Sequence, residues 1–367
     1  MKFLITGNMG YVGPAVVRHL RSRFPDSTIH GYDTGIFAHC LTARAGLPER
    51  RLDRQMFGDV RQLSPEQLAG YDAVILLAAV SNDPMGARFS DVTHAINTDA
   101  AVAIARMAAA AGVRNVVFAS SCSVYGVADG GPRREEDPLN PQTAYAASKI
   151  AAERALARIG GDTVVTSLRF ATACGMSDRL RLDLVLNDFV ASALTRRQIT
   201  VLSDGTPWRP LIDVADMARA IEWAATRDAD NGGQVLVVNA GIDSANYQVR
   251  DLAQAVARVV PGCQVSINEA APVDSRSYRV DFGLFAALAP RHLPQMTLAD
   301  SIGELVTGLR DIGFSDGNFR ESPMMRLQVL KSLIAEGHLS EDLTWVHQDR
   351  LAQEPPAAPV RIEEAVR

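Results

Sequence analysis

The first two dozen residues constrain the fold most. A strand-like stretch, Lys2–Thr6, runs straight into Gly7-Asn8-Met9-Gly10-Tyr11-Val12-Gly13, and residues 14–23 then read as a helix. Strand, glycine-punctuated loop and helix in that order leave unpaired N–H groups and the positive end of a helix dipole facing the loop. That geometry suits a phosphate. The three glycines divide the work: Gly7 allows the tight turn, Gly10 the close approach of a pyrophosphate, and Gly13 the packing of helix on strand. Glycine triplets also occur in ordinary turns, and the strand before and the helix after are what point to a dinucleotide.

The same alternation continues downstream. Strand-like runs appear at Lys2–Thr6, Thr28–Asp33, residues 72–79, Asn115–Ser121 and residues 163–170, with helix-like stretches such as 14–23 and 98–111 between them. Strands spaced by helices imply βαβ crossovers and a parallel sheet. The runs VILLAA (74–79) and NVVFASS (115–121) suit strands buried on both faces. The expected fold is α/β, a Rossmann-type doubly wound parallel sheet with a smaller mixed α/β C-terminal substrate domain.

Beyond Phe170 the pattern loosens. Helices are expected over 183–194, 213–226, 249–260, 298–309 and 325–336, and strands over 199–202, 235–239, 264–268 and 277–280. The chain of 367 residues fits two domains at roughly 150 residues each. We expect a dinucleotide-binding domain over 1–170 with a return segment at about 212–241. A substrate-binding region would follow over 171–350, and a flexible tail with Pro355, Pro356 and Pro359 over 351–367.

Composition narrows the partners. Thirty-seven basic against forty-two acidic side chains leave a net charge of −5, too mild for nucleic acid or a membrane surface. The longest apolar stretch, residues 100–113, is alanine-rich and interrupted by Arg106, which argues against a membrane span. Cys40, Cys122, Cys174 and Cys263 form no CxxC pair and no metal-ligand spacing with the seven histidines. Free thiols in a reducing compartment, no metal, and no signal-peptide region before the first strand make a cytoplasmic protein the expectation.

Asp33 ends the second strand, twenty residues beyond Gly13, where a carboxylate accepts both hydroxyls of a ribose. No arginine or lysine lies in residues 34–40 to neutralise a 2′-phosphate, which favours NAD over NADP. Asp59, in Gly58-Asp59-Val60, is in reach of an adenine edge. Further on, Tyr145-Ala146-Ala147-Ser148-Lys149 puts a phenol and an ammonium four residues apart on a helix, hence on one face. Ser120-Ser121-Cys122-Ser123-Val124-Tyr125-Gly126 closes the strand expected beside that helix.

In this combination the chain resembles the extended short-chain dehydrogenases/reductases of the nucleotide-sugar epimerase/dehydratase family and is similar to the UDP-galactose 4-epimerases. The likeness covers roughly residues 1–315. It includes Leu77-Ala78-Ala79, Asn97, Leu168-Arg169-Phe170, Asn187, Arg209 and Asp274-Ser275-Arg276. The resemblance implies NAD held by Gly7, Met9, Gly10, Tyr11, Val12, Gly13, Asp33, Asp59, Val60, Leu77, Ala78, Ala79, Asn97, Tyr145, Lys149 and Phe170. It makes Tyr145 the base and acid, Ser121 the hydroxyl on the reacting oxygen, and Lys149 the group that lowers the phenol and holds the nicotinamide ribose. Bringing a phenol from near 10 toward neutrality takes roughly 4 kcal/mol, to be supplied by Lys149⁺ and the positive cofactor ring. The resemblance further assigns a nucleotide-diphosphate sugar to Ser81, Ser123, Thr172, Asn187, Arg209 and Arg276, guanidinium forks being suited to phosphate. It also implies a homodimer paired through helices around 97–111 and 145–158.

Departures from the family narrow the chemistry. Its 4,6-dehydratases carry Asp-Glu directly after the catalytic Thr, and its decarboxylases a Glu just before Val-Tyr-Gly. Here Cys122 and Ser123 take those positions, which argues against dehydration and decarboxylation. Epimerisation at C4 with retained NAD is the expected reaction. A 4-keto-sugar reductase using NAD(P)H is the nearest rival, and a non-catalytic NAD-binding sensor or scaffold a reading of another class. Thr172 stands where the family often has Asn, and the loop 80–85 differs too, so the hexose and the reacting carbon stay open. The C-terminal extension with Trp345 is expected to cap the substrate domain.

Overall fold

The computed structural model describes residues 1–43, 46–127, 130–268, 270–271 and 277–346. The chain opens with β1 (Lys2–Thr6), α1 (Gly13–Arg23), β2 (Thr28–Asp33), β3 (Arg54–Phe57) and β4 (Ala73–Leu76). Next come α2 (Asp83–Arg88), α3 (Ser90–His94), α4 (Ala101–Ala110), β5 (Asn115–Ser121), α5 (Ala144–Leu156) and β6 (Val164–Phe170). The second half holds β7 (Thr172–Cys174), α6 (Val185–Arg196), β8 (Gln198–Val201), β9 (Trp208–Asp213), α7 (Val214–Thr226) and β10 (Val235–Ala240). It ends with β11 (Asn246–Gln248), α8 (Val249–Val259), β12 (Gln264–Ile267), α9 (Gly283–Leu288), α10 (Leu298–Asp311) and α11 (Arg326–Ala335).

Seven strands form one parallel sheet in the order β10-β6-β5-β4-β1-β2-β3. Side chains alternate across it. Phe3, Ile5, Ile75 and Val117 enter the core on one face, and Leu4, Val74, Leu76, Val116 and Phe118 the core on the other. Burial on both faces is why these strands read as unbroken apolar runs. The strand order reverses between β1 and β4, so the crevice at their C-terminal ends is where an open α/β sheet binds its ligand. β11, β9 and β7 form a small second sheet, and β12 pairs with β8.

Some elements depart from expectation. β3 is an edge strand, RQMF, with no fully buried side chain, so it lacks the apolar signature that revealed its neighbours. Residues 277–280 make only one bridge, Arg133 to Val280, instead of a strand. The helix expected from residue 98 begins earlier, as a wide π turn over Ala95–Ala100 that leads into α4. The C-terminal extension packs on the substrate region, where Arg320 pairs with Asp188 at 2.6 Å and Arg326 donates to the Arg179 carbonyl at 2.9 Å. It also returns to the N-terminal half, where Trp345 Nε1 donates to the Thr34 carbonyl at 2.7 Å. The expected tail, 351–367, lies outside the described residues. Among those described, no helix is long and apolar enough to cross a membrane.

Candidate active site

A cleft of about 990 Å³ follows the C-terminal edge of the sheet, from the glycine loop to β9. Its walls include Gly7, Gly10, Tyr11, Val12, Gly13, Asp33, Asp59, Val60, Leu77, Ala78, Ala79 and Phe170, together with Ser121, Tyr145 and Lys149. Ser81, Ser123, Thr172 and Arg209 line it as well.

At the first end, backbone packing decides the residue types. Gly7 has φ 76°, and a Cβ there would lie 2.4 Å from the Ala78 nitrogen. A Cβ on Gly13 would lie 2.1 Å from the Asn8 carbonyl oxygen. Gly10 differs: its Cβ would meet only the Gly7 carbonyl oxygen, at 3.3 Å, so its outer side is open to the cleft. A closely packed turn with one open glycine before a helix N-terminus fits a pyrophosphate.

Asp33 accepts the Met9 N–H at 2.9 Å and the Gly35 N–H at 2.8 Å, which fixes it at the end of β2. Burial raises its carboxyl, against those two N–H groups and the Arg179 charge. Arg179 is therefore a cation acting on Asp33 that no reading of residues 34–40 finds. It is fully buried and engaged by Glu49 at 2.7 Å, so its charge is already answered.

Two residues expected against the cofactor have protein partners of their own. Asp59 lines the cleft, but its carboxylate is taken up by the Arg61 N–H at 2.8 Å and the Arg61 guanidinium. Asn97 is fully buried outside the cleft wall. Its amide accepts the Val80 N–H at 2.9 Å and donates to the Val80 carbonyl and to Ser148 Oγ, at 3.0 and 3.1 Å. It holds the wall from behind. Met9 contributes its backbone to Asp33, and its side chain is buried.

In the middle, Thr143 caps α5 by accepting the Ala146 N–H, and the next turn brings Tyr145 and Lys149 to one face. Lys149 Nζ lies 5.6 Å from the Tyr145 ring centre and donates to the Ala119 carbonyl at 2.7 Å. Ser121 accepts the Ser123 N–H at 3.1 Å and shares a hydrogen bond with Tyr145. Ser123 Oγ is buried with no partner among the described residues. Below them, Glu153 accepts from Ser120 and from Arg169, the latter at 2.8 Å, in a pair buried under α5.

Burial dominates the electrostatics of this pair. Burial pushes the Tyr145 phenol up to about 12, against its bond to Ser121 and the charge of Arg181, while Asp83 adds to the rise. Burial draws the Lys149 ammonium down to about 7, with Glu153 pulling it back. Burial is the largest effect on both groups.

At the other end, side chains from distant segments converge. Arg181 donates to Ser81 Oγ at 2.7 Å, to the Ser81 carbonyl at 2.9 Å and to Asp183 at 2.7 Å. Asn82 Nδ2 donates to the same Asp183 at 2.6 Å, and its Oδ1 caps α2 at the Met85 N–H. The clamp holds Asn82 at φ 155°, a backbone region normally left to glycine. α2 then lies directly on the catalytic tyrosine, since a Cβ on Gly86 would be 3.1 Å from the Tyr145 nitrogen. Asp83, Arg181, Asp183 and Tyr278 all line the cleft.

Of those four, only Asp83 falls in a segment that the sequence marks, the loop 80–85; Arg181, Asp183 and Tyr278 carry no signal beyond the charges of residues 179–183. Asn187, expected to meet phosphate, is instead fully buried, bonded to the Gly175 N–H, the Tyr11 hydroxyl and the Arg181 carbonyl at 3.1, 3.0 and 2.9 Å. Arg209 donates to its neighbouring Trp208 carbonyl at 2.8 Å. Arg276 lies outside the described residues. Cys122 is fully buried and its thiol is pushed up by burial.

Comparison with known proteins agrees with this architecture. The sequence pattern of the NAD dependent epimerase/dehydratase family matches residues 3–241. The UDP-glucose 4-epimerase of Corynebacterium glutamicum is 27% identical over 271 residues, covering 69% of this chain and 79% of that protein. The dTDP-glucose 4,6-dehydratase of Streptomyces griseus is 28% identical over 256 residues, covering 67% and 75%. The solved structure of MoeE5 in complex with UDP-glucuronic acid and NAD superposes with a TM-score of 0.70 at 27% identity, covering 85% of this chain and 99% of MoeE5. The chain is an enzyme of the NAD dependent epimerase/dehydratase family, with NAD as its cofactor.

Proposed function

We propose that the chain is an NAD-dependent nucleotide-sugar epimerase acting at C4, with Ser121, Tyr145 and Lys149 as its catalytic residues. The observation that carries this reading is the meeting of those three side chains midway along one cleft, between the glycine loop and the arginine-bearing end. NAD, when bound along the glycine loop and Asp33, supplies the hydride acceptor and a positive ring beside Tyr145. Tyr145 Oη removes the proton from the sugar hydroxyl and returns it after the sugar has presented its other face. Ser121 keeps the reacting oxygen within reach of Tyr145. Ser123 Oγ, buried without a partner, is a ready hydrogen-bond group for the same sugar. Lys149, held at the Ala119 carbonyl, is in position for a ribose hydroxyl.

Arg209, and Arg276 with it, would take the diphosphate. The division into a cofactor part, 1–170 with 212–241, and a substrate part, 171–350, belongs to the same proposal. So do a homodimer through α4 and α5, and a reducing cytoplasm, which the four free cysteines suit.

A second reading has one observation in its favour. Asp83, in the cleft beside Tyr145, is a carboxylate within the region where an elimination would need one. A dehydratase would give a product lighter by one water, and a reductase would consume reduced cofactor in step with product. Offered UDP- and dTDP-hexoses, the enzyme is expected to give isomers of unchanged mass without net cofactor use. Tyr145→Phe is expected to lower that turnover about 1,000-fold while NAD stays bound. Unchanged turnover in the variant would reject the catalytic assignment.

A further inference from the structure

The chain after α11 forms a small hairpin whose position gives it a role at the cofactor end. Leu339 and Trp345 make an antiparallel bridge, and Val346 N–H returns to the His338 carbonyl at 2.9 Å. The turn is tied by Ser340, whose N–H meets the Thr344 carbonyl at 3.0 Å. The hairpin is anchored to each of the two loops that carry the cofactor-side carboxylates. Trp345 Nε1 donates to the carbonyl of Thr34, the residue after Asp33, at 2.7 Å. Arg61, which also holds Asp59, donates to the Asp342 carbonyl at 2.9 Å and to Thr344 Oγ1 at 3.0 Å.

Between these two anchors sits Leu343. Its φ is 57°, a left-handed conformation disfavoured for any residue with a Cβ, and it is only 4% exposed. That backbone carries it into an apolar cluster with Ile36, Val80, Met85, Phe89 and Leu330. Leu343, Leu330 and Ile36 all reach the cleft wall. A flat heteroaromatic base needs apolar side chains against its faces and a polar rim, and this cluster beside Asp33 and Val60 provides both.

We propose that the hairpin of residues 338–346 is a binding element for the adenosine half of NAD, with Leu343 as its apolar contact and Trp345 as the residue that positions it on Thr34. It rests on NAD as cofactor and on the Asp33 end as the adenosine end, and not on which reaction the sugar undergoes. Contacts that a wall makes with a bound ligand show mainly in its dissociation rate.

The test compares Leu343→Ser and Trp345→Phe with the unaltered full chain. Release of bound NADH is followed by fluorescence during a chase with NAD, and the affinity for UDP is measured by calorimetry as a reference for the far end of the cleft. Both variants are expected to release NADH about tenfold faster while UDP affinity stays within about twofold. Release at the original rate in both variants, or an equal loss of UDP affinity, would overturn the proposal. If Leu343→Ser does not fold, Trp345→Phe, which keeps an aromatic ring while removing the N–H donor and the second ring, decides alone. Failure of the unaltered chain to bind NADH would instead reject the cofactor end as drawn.

Discussion

The two ends of the cleft are built by opposite means. At the cofactor end the backbone does most of the positioning, with Gly7 against Ala78 and Gly13 against Asn8, and each contact needs the absence of a side chain. At the sugar end the backbone is loop, and Ser81, Asn82, Arg181 and Asp183 lock two segments about a hundred residues apart through ionised side chains. The first construction recurs wherever a dinucleotide must be approached closely. The second leaves the surface facing the sugar adjustable, because side chains can be exchanged without rebuilding the sheet. A family that shares one cofactor and many sugars is expected to divide its site this way.

The comparison can be broken by substitution. The largest effect is expected from Arg181→Met. Asp183 would keep Asn82 and the more distant Arg326 charge, and a half-broken buried ion pair costs about 3–5 kcal/mol, read as a fall in Tm. The Michaelis constant for the nucleotide sugar should rise while bound NAD stays unchanged. Replacing both partners, Arg181→Met with Asp183→Leu, should restore stability but not sugar affinity. Loss of NAD from either variant would mean that the two ends are not separately built.

Gly13→Ala should produce the converse at about 2–3 kcal/mol, since its Cβ would collide with backbone that cannot yield. NAD should be lost first, with UDP affinity kept in whatever protein remains folded.

The smallest effect has the opposite sign. Lys149→Met should stabilise the protein without cofactor by about 1–3 kcal/mol, because the ammonium is buried against one carbonyl and two aromatic rings, with Glu153 answering only part of its charge. The pH dependence follows from the direction of the shift. Lys149 is drawn down from 10.5 to about 7, so between those values the unfolded chain holds more protons than the folded one. Stability of the unaltered chain therefore rises with pH across that window. The variant's advantage should be greatest below pH 7 and fade toward 10.5. A Tm difference that does not change with pH would mean that Lys149 is not held against its charge.

How much of this was legible in the sequence follows from the same contrast. Glycine spacing and apolar runs are local signals, so the parallel sheet, the glycine loop and the Tyr145–Lys149 face could be read directly. β3 escaped because an edge strand buries too little to need an apolar pattern. Asn97 and Asn187 stand in the family register, yet the fold spends every amide atom on backbone and core partners. Arg181 was invisible for the reverse reason: an isolated arginine in a sequence looks like surface charge, and its partner Ser81 is a hundred residues away. The neighbours of Ser121 in sequence carry no carboxylate, yet α2 brings Asp83 to the same cleft from elsewhere. The burial that raises Tyr145 and draws down Lys149 was not legible either, because charge spacing along a helix carries no information about how dry the site is.

The central claim, that the cofactor stays in place and is regenerated within each turnover, is tested most directly by mass spectrometry of the small molecules released when the purified protein is heat-denatured. The account predicts NAD near one equivalent per chain, mixed with some NADH. A chain that releases no nucleotide and fills only with added NADPH would contradict it.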